Sequence, residues 1–150
     1  NYVDQSLDTG ADGALRKFGH AGIRSAKVGL IDGAGNHPTL LLAACQVLDG
    51  MLQQELPEKA SYPLRGKKGN VLVHCRGGRS RSVAVSALYL CHMHPDRWPD
   101  FDATIARIVE LRQIEPEKVH KSPSPGLMAT ARQALATIAS GRGAFPYRAA

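Results

Sequence analysis

Between Val71 and Leu90 the chain reads VLVHCRGGRSRSVAVSALYL: three apolar residues, a turn carrying a cysteine, three arginines and two glycines, then a helical pattern. An apolar run this short, bounded by turn signals, predicts a buried central strand. The recurrence of Val83, Val85, Ala87, Leu88 and Cys91 predicts a buried helix directly after it. Strand, glycine turn and helix form one unit. The architecture that houses such a unit is an α/β fold in three layers, a mainly parallel sheet of about four or five strands flanked by helices, with the turn at the carboxyl end of VLVHC.

The turn itself has the composition of an anion receptor. A helix start offers unpaired N–H groups and a partial positive charge, and Gly77 and Gly78 let the backbone bend several N–H groups inward. The same field lowers the pKa of a thiol at its mouth, which makes Cys75 a thiolate nucleophile facing a bound phosphorus. Arg81 is placed to return over the turn and hold two oxygens with its planar guanidinium, a geometry that lysine lacks. Burying Arg76, Arg79 and Arg81 in one tight turn is costly unless an anion pairs with them.

These residues, HCRGGRSRS, resemble the signature loop of the cysteine-dependent protein-tyrosine and dual-specificity phosphatases: His-Cys, five residues, Arg, then Ser or Thr. The resemblance, which runs from roughly residue 23 to the last helix, implies a phosphotyrosine-phosphatase-like fold, and the chain is read as a single domain, 1–140, with 141–150 as a tail. It implies Cys75 as the nucleophile, Arg81 as the clamp on the transition state and Ser82 as the hydroxyl that helps the thiolate leave. Arg76, Gly77, Gly78, Arg79 and Ser80 complete the phosphate loop, and His74 orients it. The general acid that such an enzyme needs is assigned to Asp32, at the end of a strand predicted over AKVGLID and in the Gly-rich loop DGAGN. Asp32 lies further from the nucleophile along the chain than in the compact members, and the extra length is placed in PEKASYPLRGKKGN. RWPD, Arg97 to Asp100, spells the acid motif of the larger tyrosine-specific enzymes. It follows the nucleophile instead of preceding it, so Asp100 is read as a helix-start carboxylate.

Elsewhere Pro38 marks the start of a helix through Leu41, Ala44, Cys45, Leu48, Met51 and Leu52. Helical patterns also cover FDATIARIVELR and SPGLMATARQALATIA, and GALRKFGHAGI, with Leu15, Phe18 and Ile23, is read as a further helix. PEKASYPLRGKKGN reads as a surface connection and GRGAFPYRAA as a frayed tail.

With 150 residues, 43% hydrophobic and 21% charged, the expectation is one soluble domain with no membrane insertion. The N-terminal stretch has no basic start and no apolar h-region, and the three cysteines are too few for a disulfide framework. A cytoplasmic location follows as the expectation. A net charge of +6 favours anionic partners, while 5% aromatics and no basic–aromatic run argue against nucleic acid. No metal and no other cofactor is expected. Cys91 and His94 lie at helical spacing but lack a second ligand pair, so Cys45 and Cys91 are read as core.

The expected partner is a phosphorylated protein, dephosphorylated at tyrosine and at serine or threonine, or a phosphorylated lipid or small molecule. The second substrate class is signalled by Arg76 and Arg79, which occupy positions where phosphoinositide and phosphatidylglycerophosphate phosphatases carry Lys or Arg. Two readings from other classes stay open. One is a rhodanese-type sulfurtransferase, whose CRxG loop also follows a strand, and the other is a phospho-residue binding module without turnover. Oligomeric state is not specified by the sequence.

Overall fold

The computed structural model describes residues 6–9, 15–18, 26–54, 70–114 and 123–140. Four helices dominate them: α1 (Pro38–Gln53), α2 (Arg81–Met93), α3 (Phe101–Leu111) and α4 (Pro125–Ala139). α2 packs against the other three, and α1 also packs on α4.

Each helix starts where its sequence supplies a start. Pro38 and Pro125 stand in the first turns of α1 and α4, where a missing N–H costs nothing, and His37, Asp100 and Ser124 cap α1, α3 and α4 with side-chain acceptors. α2 is buried along almost its whole circumference. Val83, Ala84, Val85, Ala87, Leu88, Tyr89 and Cys91 all belong to the core, which Leu41, Leu42 and Leu48 of α1, Phe101 and Ile105 of α3, and Leu127 and Met128 of α4 complete. Leu41, Leu88 and Leu127 are wholly buried, and truncating any of them to Ala is expected to cost about 2–5 kcal/mol.

The parallel sheet expected from the sequence is overturned. The described residues are mainly helical, and neither AKVGLID nor VLVHC is a strand there. The reason lies in where the backbone groups go, because a strand needs its N–H and C=O groups paired with a neighbouring strand. The Leu30 N–H bonds the Val28 carbonyl, the Ile31 N–H and C=O both bond the Asn36 side-chain amide, and the Leu30 carbonyl accepts from Arg81. Over AKVGLID, local turns and side chains have captured what a sheet would use. The apolar alternation survives without the ladder: Val28, Leu30, Val71 and Val73 pack on the helices, while Leu72 is 82% exposed.

The helix expected over GALRKFGHAGI is also corrected. β1 (Ser6–Thr9) and β2 (Leu15–Phe18) pair antiparallel with one another, Ser6 opposite Phe18 and Thr9 opposite Leu15. Of the loop PEKASYPLRGKKGN only Asn70 is described, and the tail 141–150 lies outside the described residues. No helix among the described residues is long and apolar enough to cross a membrane.

Candidate active site

The start of α2 differs from the other three. Ser80 precedes the helix with φ −118° and ψ −80° and makes no side-chain cap. Its hydroxyl accepts instead from the Ser124 N–H at 3.2 Å. The backbone N–H groups of Ser82, Ser80 and Gly78 face the Cys75 sulfur and lower its pKa. Burial alone pushes this thiol up. The Ser82 hydroxyl, 3.4 Å from Sγ, and those backbone donors outweigh burial and bring it from an ordinary 9.0 down to about 6. A thiol lowered to about 6 favours the thiolate at neutral pH.

Of the two glycines of the turn, Gly78 is the one its backbone conformation requires. Gly78 has φ +63°, a left-handed conformation that costs other residues about 1–2 kcal/mol. A Cβ there would also stand 2.9 Å from Arg112 Nη2. Gly77 has the Arg79 guanidinium against it, and Arg76, Arg79 and Arg112 are all exposed. Two guanidinium groups therefore lie directly on the glycines of the turn. Ser80 and Ser82 are buried beneath it, and Ser82 also shares a cavity of about 200 Å³ with Val71, Val73, Val83, Ser86, Ile108 and Arg112.

Arg81 leaves the first residue of α2 toward the loop that carries Asp32. Its Nη1 donates to the Leu30 carbonyl at 3.4 Å, and its Nε lies 3.9 Å from Asp32 Oδ2, an ion-pair distance too long for a hydrogen bond. That Nε is buried and has no hydrogen-bond partner among the described residues. The structure thus joins Arg81 to Asp32 and Cys75 to Ser82. The Asp32 loop is closed on itself by Asn36, whose Oδ1 accepts from the Ile31 N–H at 2.8 Å and whose Nδ2 donates to the carbonyls of Ile31 and Gly33. Gly35 turns this loop at φ +96°.

His74 is exposed at the edge of the turn. Asp100 caps α3, its Oδ1 accepting the Ala103 N–H at 2.6 Å, so RWPD serves as a helix connection in which the Arg97 guanidinium rests over the Trp98 ring. All three cysteines are free. Cys45 is 2% exposed, with its thiol pushed up to about 12 by burial, and Cys91 pairs with the Thr104 hydroxyl with its thiol raised chiefly by burial.

Three contributors to the site were not read from the sequence. Arg112 reaches Gly78 from the end of α3, and nothing local in IVELRQ signals it. Gly126 meets the Asp32 loop from α4, and its only signal is a glycine just inside a helix, where propensity disfavours one. Asn36 was the most legible, since an Asn closing DGAGN is a turn residue with a side chain that bonds backbone. Comparison with protein-family models, curated proteins and solved structures finds no match to the chain.

Proposed function

We propose that this protein is a cysteine-dependent phosphomonoester hydrolase that works through a phosphocysteine and needs no metal. The observation that carries the reading is the Cys75 sulfur held by the N–H groups of Gly78, Ser80 and Ser82 at the uncapped start of α2. In the first step the thiolate attacks phosphorus, the bond to the leaving oxygen breaks, and the Asp32 carboxyl gives that oxygen its proton. The turn's N–H groups and Arg81, swung from Leu30, hold the phosphoryl oxygens, whose charge is best stabilised by donors already in place. In the second step water attacks phosphorus, Asp32 takes the proton, and the Ser82 hydroxyl supports the departing thiolate.

The first substrate class is a phosphoprotein, with tyrosine and serine or threonine both admitted, acted on in the cytoplasm. A phosphoinositide or other phosphorylated lipid is the second reading, favoured by the Arg79 and Arg112 guanidinium groups lying on Gly77 and Gly78 beside an exposed Arg76.

The test is phosphate release from p-nitrophenyl phosphate in EDTA, wild type against Cys75→Ser. Turnover lost in the variant is expected, and phosphopeptide and phosphoinositide panels then separate the two substrate classes. An inert wild type that passes sulfur from thiosulfate to cyanide would identify a sulfurtransferase. One that binds phosphate without releasing product would identify a binding module.

A further inference from the structure

The first turn of α4 touches both halves of the site. On one side the Ser124 N–H holds the Ser80 hydroxyl, which belongs to the Cys75 turn. On the other side, Gly126 faces the backbone of the Asp32 loop. A Cβ on Gly126 would stand 2.6 Å from the Ala34 nitrogen, 2.8 Å from its Cα and 2.9 Å from its Cβ. Backbone cannot retract as a flexible side chain can, so any residue other than glycine there must push the loop and the start of α4 apart. The φ of Gly126 is not positive, which leaves close approach as the feature that requires glycine. Because Asn36 closes Ile31–Asn36 into a ring through three hydrogen bonds, displacement of Ala34 is passed to Asp32 two residues away.

We propose that Gly126 is a positioning residue: the start of α4 is a spacer that sets Asp32 at its working distance from the Cys75 turn, anchored to that turn through Ser80. The inference rests on Asp32 being the general acid of the proposed phosphatase. It concerns no atom that touches substrate.

A misplaced acid has a kinetic signature that lost stability does not share. Good leaving groups depart unprotonated, whereas poor ones need the proton, so only the latter should suffer. The experiment measures kcat/KM for Gly126→Ala against phosphates of graded leaving-group pKa. The expected result is less than about a twofold change on p-nitrophenyl phosphate and about a ten- to hundredfold loss on an alkyl phosphate, the scale on which small misplacements act. The alkylation pKa of Cys75 should stay unchanged. Gly50→Ala is the control, since a Cβ on that exposed glycine of α1 meets nothing within 4 Å, and its profile should match wild type.

If Gly126→Ala does not fold, Ser124→Pro carries the test. Ser124 has φ −63°, which suits proline, and the change removes the N–H that holds Ser80 together with the Oγ that caps Leu127. Ser124→Ala removes only the cap. A leaving-group-dependent loss in the proline variant beyond that of the alanine variant supports the spacer. An even loss across leaving groups, or no loss, overturns it. An inert wild type takes down the phosphatase reading and this inference together, whereas an active wild type with a flat Gly126→Ala profile takes down this inference alone.

Discussion

At the start of α3 the Asp100 carboxylate takes the Ala103 N–H at 2.6 Å, and the open end of the helix is satisfied by its own chain. At the start of α2 the residue in the same position, Ser80, turns its hydroxyl away to Ser124, and the donors collect around a sulfur. Both segments offer a small polar side chain immediately before a helix. A capping oxygen is worth about 1 kcal/mol, so α2 forgoes a stabilisation that α3 keeps and leaves its first N–H groups to the Cys75 sulfur. The low-pKa thiol lies where a routine structural use of the backbone is withheld.

Cys75→Ser is the harshest way to break this contrast: turnover should fall below detection while phosphate still binds, as read by rapid quench and by calorimetry. Asp32→Asn should follow, slowing alkyl phosphates by about 10²–10⁴ and activated aryl phosphates far less, in steady-state assays across a leaving-group series. Equal slowing on both would remove Asp32 from the acid's role. Arg81→Lys should lower kcat by about 10²–10³, because the paired hydrogen bonds of the guanidinium are lost; near-normal rates would refute the clamp.

The pH dependence sharpens the contrast further. Iodoacetamide should label Cys75 with a midpoint near pH 6 by mass spectrometry, leaving Cys45, held near 12, untouched, and Ser82→Ala should move that midpoint upward. The thiol's pKa is lower in the folded chain than in the unfolded one, so between about 6 and 9 the unfolded state binds more protons and stability rises with pH. Urea unfolding should therefore show an advantage over Cys75→Ser that is full above pH 9 and lost as pH falls through 6. The smallest effect belongs to the other helix. Asp100→Ala should cost about 1 kcal/mol in the same unfolding experiment and leave turnover unchanged.

What was legible in the sequence was local. Pro38, Asp100 and the Ser124–Pro125 pair announced their helices because capping is settled within a few residues, and Cys75, Gly78, Arg81 and Ser82 stood out because one turn contains them all. The sheet was misread because the apolar run in VLVHC and the alternation in AKVGLID report which side chains face the core, not what the backbone bonds. Asn36 and Arg81 decide the latter for the segment before Asp32, from five residues away and from another helix. Arg112 and Gly126 escaped notice because their importance lies in what they meet: Gly78 for one and Ala34 for the other, both distant in sequence.

The burial of α2 on nearly every side also bears on how such a protein can vary. Its residues serve the core and carry the reactive turn at once, so a change at Ala84 or Ala87, both wholly buried, would be felt by fold and chemistry together. Arg76, Arg79 and Arg112 are exposed, and the last two rest on glycines of the turn. Exchanging them disturbs little of the core while altering the charge around the turn. Under the proposed function, selection acting on this chain can thus retune what it would accept far more freely than the chemistry it would perform.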